Sequence, residues 1–479
     1  MAPDDSQAKR RYELLEPDRH VQTESLRQRM AELSADSELG RFETMLEEWS
    51  QSEWAHYGNP VSAMVETVTD QIKGAMADLG ADPARLATVH VGTTLADDVS
   101  AQMQPFSDGS GLVTVADSIF SLMTVFAGYA GSALHRVGDG PAPKKLWRLL
   151  VAMRRGALGE DPAVLTGLLR YYNVNQRVYG LAAKLDRRSG AGAEQVASLI
   201  ALLGAQFVIG HEVAHHVLGH DSGPSGFFPG EHLPVCSAEQ QPELDADLLA
   251  YRAVVRVSER EMAGTPAASA GGVFALLGAL VAMVTIHVTE RALFVRRGCT
   301  HPPAGVRADL LVERVDQRSQ QFVRLLFRNL LAAAEDSSEF GPGARVFDGD
   351  DFGKLAEIST PVSPEYLRSI TAFDLFLCRP PDFLAGELGR IAEEDGAGFL
   401  ATGGEAMAAG DLATALRLWG VDDGTAALVL DPRRALTFHS LLEAVRDGVL
   451  RQGVPKDRAR TVAMIIARLT EVSLKDADR

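Results

Sequence analysis

At 479 residues the chain is too long for one ordinary core, so two or three domains are expected. Hydrophobic residues make up 46% and charged residues 23%, which excludes a disordered polymer and fits a globular protein. A formal charge of −17 argues against nucleic acid or an anionic membrane as partner, because phosphates are gripped by clustered Lys and Arg.

Residues 1–84 are expected to form a charged helical region. Glu24–Leu33 and Phe42–Trp49 place apolar residues at spacings of three and four. No apolar run follows Lys9, Arg10 and Arg11, so an export signal is not expected. Strands are expected at Ala87–Thr94 and Gly111–Ala116, the second following the turn-forming Ser107-Asp-Gly-Ser. Asp117 is placed to start the next helix. A helical insertion is expected at about 138–192, then a long apolar helix from about Ala193 to Leu218, closed by Gly219. Another helix should begin near Pro242. Gly271–Ile286 is apolar throughout but slightly short for a membrane span and contains three glycines, which favours a buried core helix over an anchor. Residues 311–479 read as mostly helical, and Ala408–Trp419 resembles half of a helical hairpin. The cysteines Cys236, Cys299 and Cys378 are odd in number and dispersed, so neither a disulfide framework nor a zinc ribbon is expected, and a reducing cytoplasm fits best.

The chemistry concentrates in His211-Glu-Val-Ala-His215. Residues four apart share one face of a helix, so both imidazoles can aim at one ion, while Glu212 is rotated about 100° towards the place a water would take. This is the H-E-x-x-H pattern of zinc hydrolases. Catalytic zinc takes three protein ligands and leaves one position open. Glu243 is the expected third ligand, and Asp247, four residues later, is the expected partner that orients a ligand histidine. Exchanging the two, or using Asp245, stays physically possible, as does a plain acidic helix start near the positive end of the helix dipole. A second geometry, with the third ligand six residues after His215, would use Asp221; it lacks a glycine at Leu218, Gly219 falling one position late. His216 and His220 are expected to be polar surface and helix-end residues.

The order His211-Glu-x-x-His215 and then Glu243-x-x-Ala-Asp247 resembles the gluzincin zinc peptidases, particularly the HtpX-like and CAAX-prenyl-protease-like branch. Thr300-His-Pro-Pro-Ala-Gly-Val-Arg307 is similar to a stretch of that branch, and Ala101-Gln-Met-Gln-Pro ahead of Gly111 is similar to its strand-turn-strand, whose edge aligns substrate. The H-E-x-x-H helix also resembles that of Lit-type phage-exclusion peptidases. The resemblance covers about residues 85–310. It implies an α+β, mostly helical protein with a zincin-type catalytic domain, a small sheet and an active-site helix, flanked by helical regions.

It further implies a zinc-dependent (Zn2+) endopeptidase acting on a protein or peptide substrate, with Glu212 as base and His301 and Arg307 as oxyanion donors. The strand near Leu112–Val115 is the expected place for substrate to add as a further strand. Two rival readings stay open: a zinc-stabilised regulatory protein without turnover, and a membrane-anchored peptidase.

Overall fold

A computed structural model describes residues 6–15, 60–94, 100–136, 191–220, 241–261, 263–264, 271–296, 302, 304–313, 381–432, 434 and 436–477. The expectations at 24–33 and 42–49, most of the insertion at 138–192, Asp221, His301 and the three cysteines lie outside these residues. The protein is mostly helical with two small sheets.

The first described helix, α1 (residues 7–15), is capped by residues far along the chain. Asp108 Oδ2 accepts from Gln7 N at 2.8 Å and Ser110 Oγ from Ala8 N at 3.1 Å. Helix α2 (Pro60–Asp78) leads to the short α3 (Pro83–Thr88), which starts cleanly because Asp82 accepts from Ala84 N and Pro83 has no N–H to leave unsatisfied. Strands β1 (Val89–Thr94), β2 (Ala101–Pro105) and β3 (Gly111–Ala116) follow. The expected strand at Ala87–Thr94 thus starts two residues late, because Ala87 and Thr88 finish α3.

The sheet order is β1-β3-β2, with β3 parallel to β1 and antiparallel to β2. Strand β3 is buried along its whole length, as a central strand should be. Its two edges are both paired, so Leu112–Val115 cannot accept a further strand, contrary to the sequence expectation. The edge next to the site belongs to β2. At the far edge, Tyr12 covers β1: its hydroxyl accepts from Thr93 N at 3.1 Å and donates to Thr93 O at 3.2 Å.

The core helices are α4 (Asp117–Arg136), α5 (Ala191–Leu218), α6 (Gln241–Glu261) and α7 (Gly271–Leu293). Helix α5 lies against the other three, and Phe207, Ile209, Val213 and Ala214 are almost wholly removed from water. Each large apolar side chain so buried stabilises the fold by roughly 1.5–3 kcal/mol. One of the three glycines of the α7 segment, Gly278, has a packing reason. A Cβ on Gly278 would lie 2.5 Å from Leu203 Cβ and 2.8 Å from Gly204 N, so the α5 and α7 backbones nearly touch.

Helix α7 is accordingly a buried core helix, with residues 275–285 inside the protein. Within α5, Gln195–Leu218 is long and apolar enough to cross a bilayer, yet 61% of its most apolar stretch is buried inside the protein.

Helix α7 runs into β4 (Phe294–Arg296), and α8 (Ala304–Val312) packs back on α7. The C-terminal residues form α9 (Pro381–Glu394), α10 (Gly398–Ala408), α11 (Leu412–Leu418), α12 (Asp423–Leu430), β5 (Leu436–Thr437), α13 (Phe438–Arg451) and α14 (Lys456–Ala477) around a second core centred on Trp419. Ala408–Trp419 supplies the turn and second helix of the α10–α11 hairpin. Strand β4 pairs antiparallel with β5, and Val295 belongs to this second core.

Candidate metal centre

Helix α5 carries His211, Glu212 and His215 on its last turns. The helix persists there because Val213 and Val217 bury its opposite face. Its end is held from outside. Arg85 Nη1 donates to the carbonyls of His216 and Val217 at 3.4 and 3.2 Å, placing a cation on the negative end of the helix. Gly219 then turns the chain at φ +67°, a conformation favoured only by glycine.

His211 and His215, the two candidate ligands, face each other across 3.0 Å, Nε2 to Nε2. From the first turn of α6, Glu243 sends Oε2 to 3.3 Å from His211 Nε2 and Oε1 to 3.5 Å from His215 Nε2. An ion with bonds of about 2.0–2.1 Å at tetrahedral angles separates its donors by about 3.3 Å. The two imidazole nitrogens, 3.0 Å apart, and the two carboxylate oxygens, one 3.3 Å from His211 and the other 3.5 Å from His215, lie near that separation, and this largely buried trio could hold a metal ion.

Behind the trio lies a buried charge chain. Asp247 Oδ1 is 2.9 Å from His211 Nδ1, along a line bent away from the ring N–H, so the contact is an ion pair more than a straight hydrogen bond. Arg307, on α8, donates twice to Asp247: Nε to Oδ2 and Nη2 to Oδ1, each at 2.7 Å. Its Nη1 is 4.0 Å from Glu243 Oε2. Burial opposes an ionised Asp247, but the Arg307 charge, its hydrogen bonds and His211 together outweigh it and hold the carboxyl below its usual range.

The geometry gives Arg307 a different task from the one expected. With two donors committed to Asp247 and the side chain buried, it clamps Asp247 instead of facing a reacting carbonyl. Asp245 turns elsewhere and accepts from Gln241 Nε2 at 2.7 Å.

Protonation follows from these neighbours. Burial alone would lower His211, but Asp247 and Glu243 outweigh it and raise its pKa to about 10. Burial, then the His211 charge, lowers His215 to about 3. The pocket's carboxylates thus demand a positive charge, which a proton on His211 supplies and a divalent cation would supply instead. Glu212 is partly exposed and points to β2, where its carboxylate accepts from the Met103 backbone N–H. Burial, chiefly, raises its pKa, with Glu243 adding to the effect.

Of the other histidines of the segment, His220 does stand just past the helix end, whereas His216 was misjudged as a surface residue. His216 is buried: its Nε2 is 3.0 Å from Thr88 Oγ1, and it lies where a Cβ on Gly111 would need to be, 2.4 Å from that position. His220 is folded back so that its Nδ1 is 2.8 Å from His215 Nδ1. The glycine after the helix was the signal for that turn, but its consequence needs the path of the chain. The contact of Met103 N–H with Glu212 had no sequence signal, since any residue supplies a backbone N–H.

Residues 182–326, less than a third of the chain, match the family model described as Peptidase U49. The matched span holds His211, Glu212, His215, Glu243, Asp247 and Arg307. The match suggests a peptidase acting on protein. No curated protein and no solved structure matches the chain.

Proposed function

We propose that the chain is a zinc-dependent endopeptidase of gluzincin type, with His211, His215 and Glu243 as ligands. The observation that carries it is the buried cluster of two imidazoles and one carboxylate, with Glu212, the candidate base, beside His211 and outside that ligand set. A purely structural site closes on four protein ligands and has no use for that base. Two imidazoles and one carboxylate suit zinc among the common divalent ions. A zinc ion held there would lower the pKa of a bound water and polarise the scissile carbonyl.

The residues of the chain do the rest. Glu212 takes a proton from the attacking water and returns it to the leaving amine, and its raised pKa brings it nearer the range in which both transfers are easy. Asp247 keeps His211 oriented, and Arg307 keeps Asp247 ionised. Strand β2 runs past Glu212 with its outer edge towards the site, which supports an extended substrate lying along it, main chain to main chain. By resemblance, His301 remains the candidate oxyanion donor. The dispersed cysteines support a cytoplasmic location, which cell fractionation checks.

Elemental analysis of protein purified without chelators and supplied with zinc should give about one zinc per chain, sharply reduced in Glu243→Ala. Glu212→Gln should keep the metal and lose cleavage of a labelled unfolded protein by about 100-fold or more. Full activity in Glu212→Gln would overturn the mechanism.

A further inference from the structure

We infer that His220 is a positioning residue that holds the second ligand histidine, His215, in the tautomer and orientation the metal requires. This rests on the metal reading of the site given above. In a neutral imidazole one nitrogen carries the proton and the other offers a lone pair. His215 Nε2 faces His211 and Glu243, so its lone pair must lie there and its proton on Nδ1. That N–H needs an acceptor, and His220 Nδ1 stands 2.8 Å away. The rings meet edge to face, 73° apart. His220 then carries its own proton on Nε2, a buried atom without a hydrogen-bond partner among the described residues.

The fold builds this contact deliberately. On a continuing helix a residue five positions on lies about 140° around the axis, away from His215. The chain instead leaves α5 at Leu218, turns at Gly219 with Gly219 N bonded to His216 O at 3.2 Å, and brings His220 back over the last turn. Arg85 packs where a Cβ on Gly219 would fall and ties down the adjacent carbonyls, so the turn is braced. The two ligand histidines therefore have unlike partners. His211 leans on the carboxylate of Asp247, which adds negative charge, whereas His215 leans on a neutral ring, which orients it without adding any. With Glu243 and Asp247 both anionic, a third carboxylate would bring further repulsion into the pocket.

The test compares zinc affinity, by competition with a chromophoric chelator, in the full-length protein and in His220→Leu and His220→Asn. Absorption spectra of the cobalt-substituted forms are recorded alongside. Loss of an outer partner of a ligand histidine costs about 10–100-fold in metal affinity, which is the expectation for His220→Leu together with a changed cobalt spectrum. His220→Asn can place an amide oxygen where Nδ1 stood and should stay within about threefold of the parent, with the parent spectrum. If the Leu variant fails to fold, His220→Ala deletes the ring without adding bulk and carries the same expectation. Unchanged affinity on removal of the ring would overturn the proposal, and so would equal loss in the Asn and Leu variants. A parent protein that takes up no metal would defeat the metal reading itself, and that result is seen before any variant is made.

Discussion

His211 links the charge of the pocket to its ligand. Its folded pKa is raised above the unfolded value of 6.5 to about 10, so in the metal-free protein it contributes stability that is fully present below 6.5 and lost as pH rises through about 10. The melting temperature of metal-free protein should therefore fall across that window, and Asp247→Asn should flatten the fall. Metal and proton compete for the same site, so zinc uptake at neutral pH should release about one proton per chain. Calorimetry in buffers of different ionisation enthalpy reads this directly; an enthalpy independent of buffer would refute it. Arg307 is the other sensitive residue. Arg307→Met removes both hydrogen bonds of its guanidinium from the buried Asp247 and leaves His211 as its remaining charge partner, which should destabilise the protein by about 3–5 kcal/mol in urea unfolding.

Between elements, one close fit is the crossing of α5 and α7 at Gly204 and Gly278. A methyl group on Gly278 meets main chain, which cannot swing aside, so Gly278→Ala should force the helices apart and cost roughly 1–3 kcal/mol. Since α5 carries His211 and His215, the proposed zinc ligands, zinc affinity should fall with it. Unaltered stability in this variant would mean that the helices separate freely. The sheet divides its two edges by use: Tyr12 closes β1, and β2 is turned towards Glu212. Closing one edge prevents pairing with another chain there, and the proposed function uses the other edge for an extended peptide.

Across the whole molecule, the C-terminal helices are joined to the site by more than a linker. Strand β4 leaves α7, pairs with β5 and places Val295 in the C-terminal core, while Arg296 reaches Val429 O. Arg307 follows a short distance along the same chain. Val295→Ala should destabilise the C-terminal core by roughly 1–3 kcal/mol although it lies far upstream of it in sequence. Hydrogen exchange should show faster opening in α9–α14; unchanged exchange there would place Val295 outside that core.

The sequence by itself determined the helical character, the small sheet and the spacing that puts His211 and His215 on one face, because these follow from local periodicity and turn chemistry. It also pointed to Glu243 and Asp247 through their spacing of four, while leaving their roles exchangeable. Only the tertiary structure decided that Glu243 turns to both imidazoles and Asp247 to His211 Nδ1, because that choice depends on where α6 lies against α5. It decided that Arg307 clamps Asp247, that β2 is the edge strand, and that His220 returns to His215. Each of these joins groups whose meeting is set by packing between elements, and hydrophobic burial fixes that packing without leaving a mark at the polar residues it brings together.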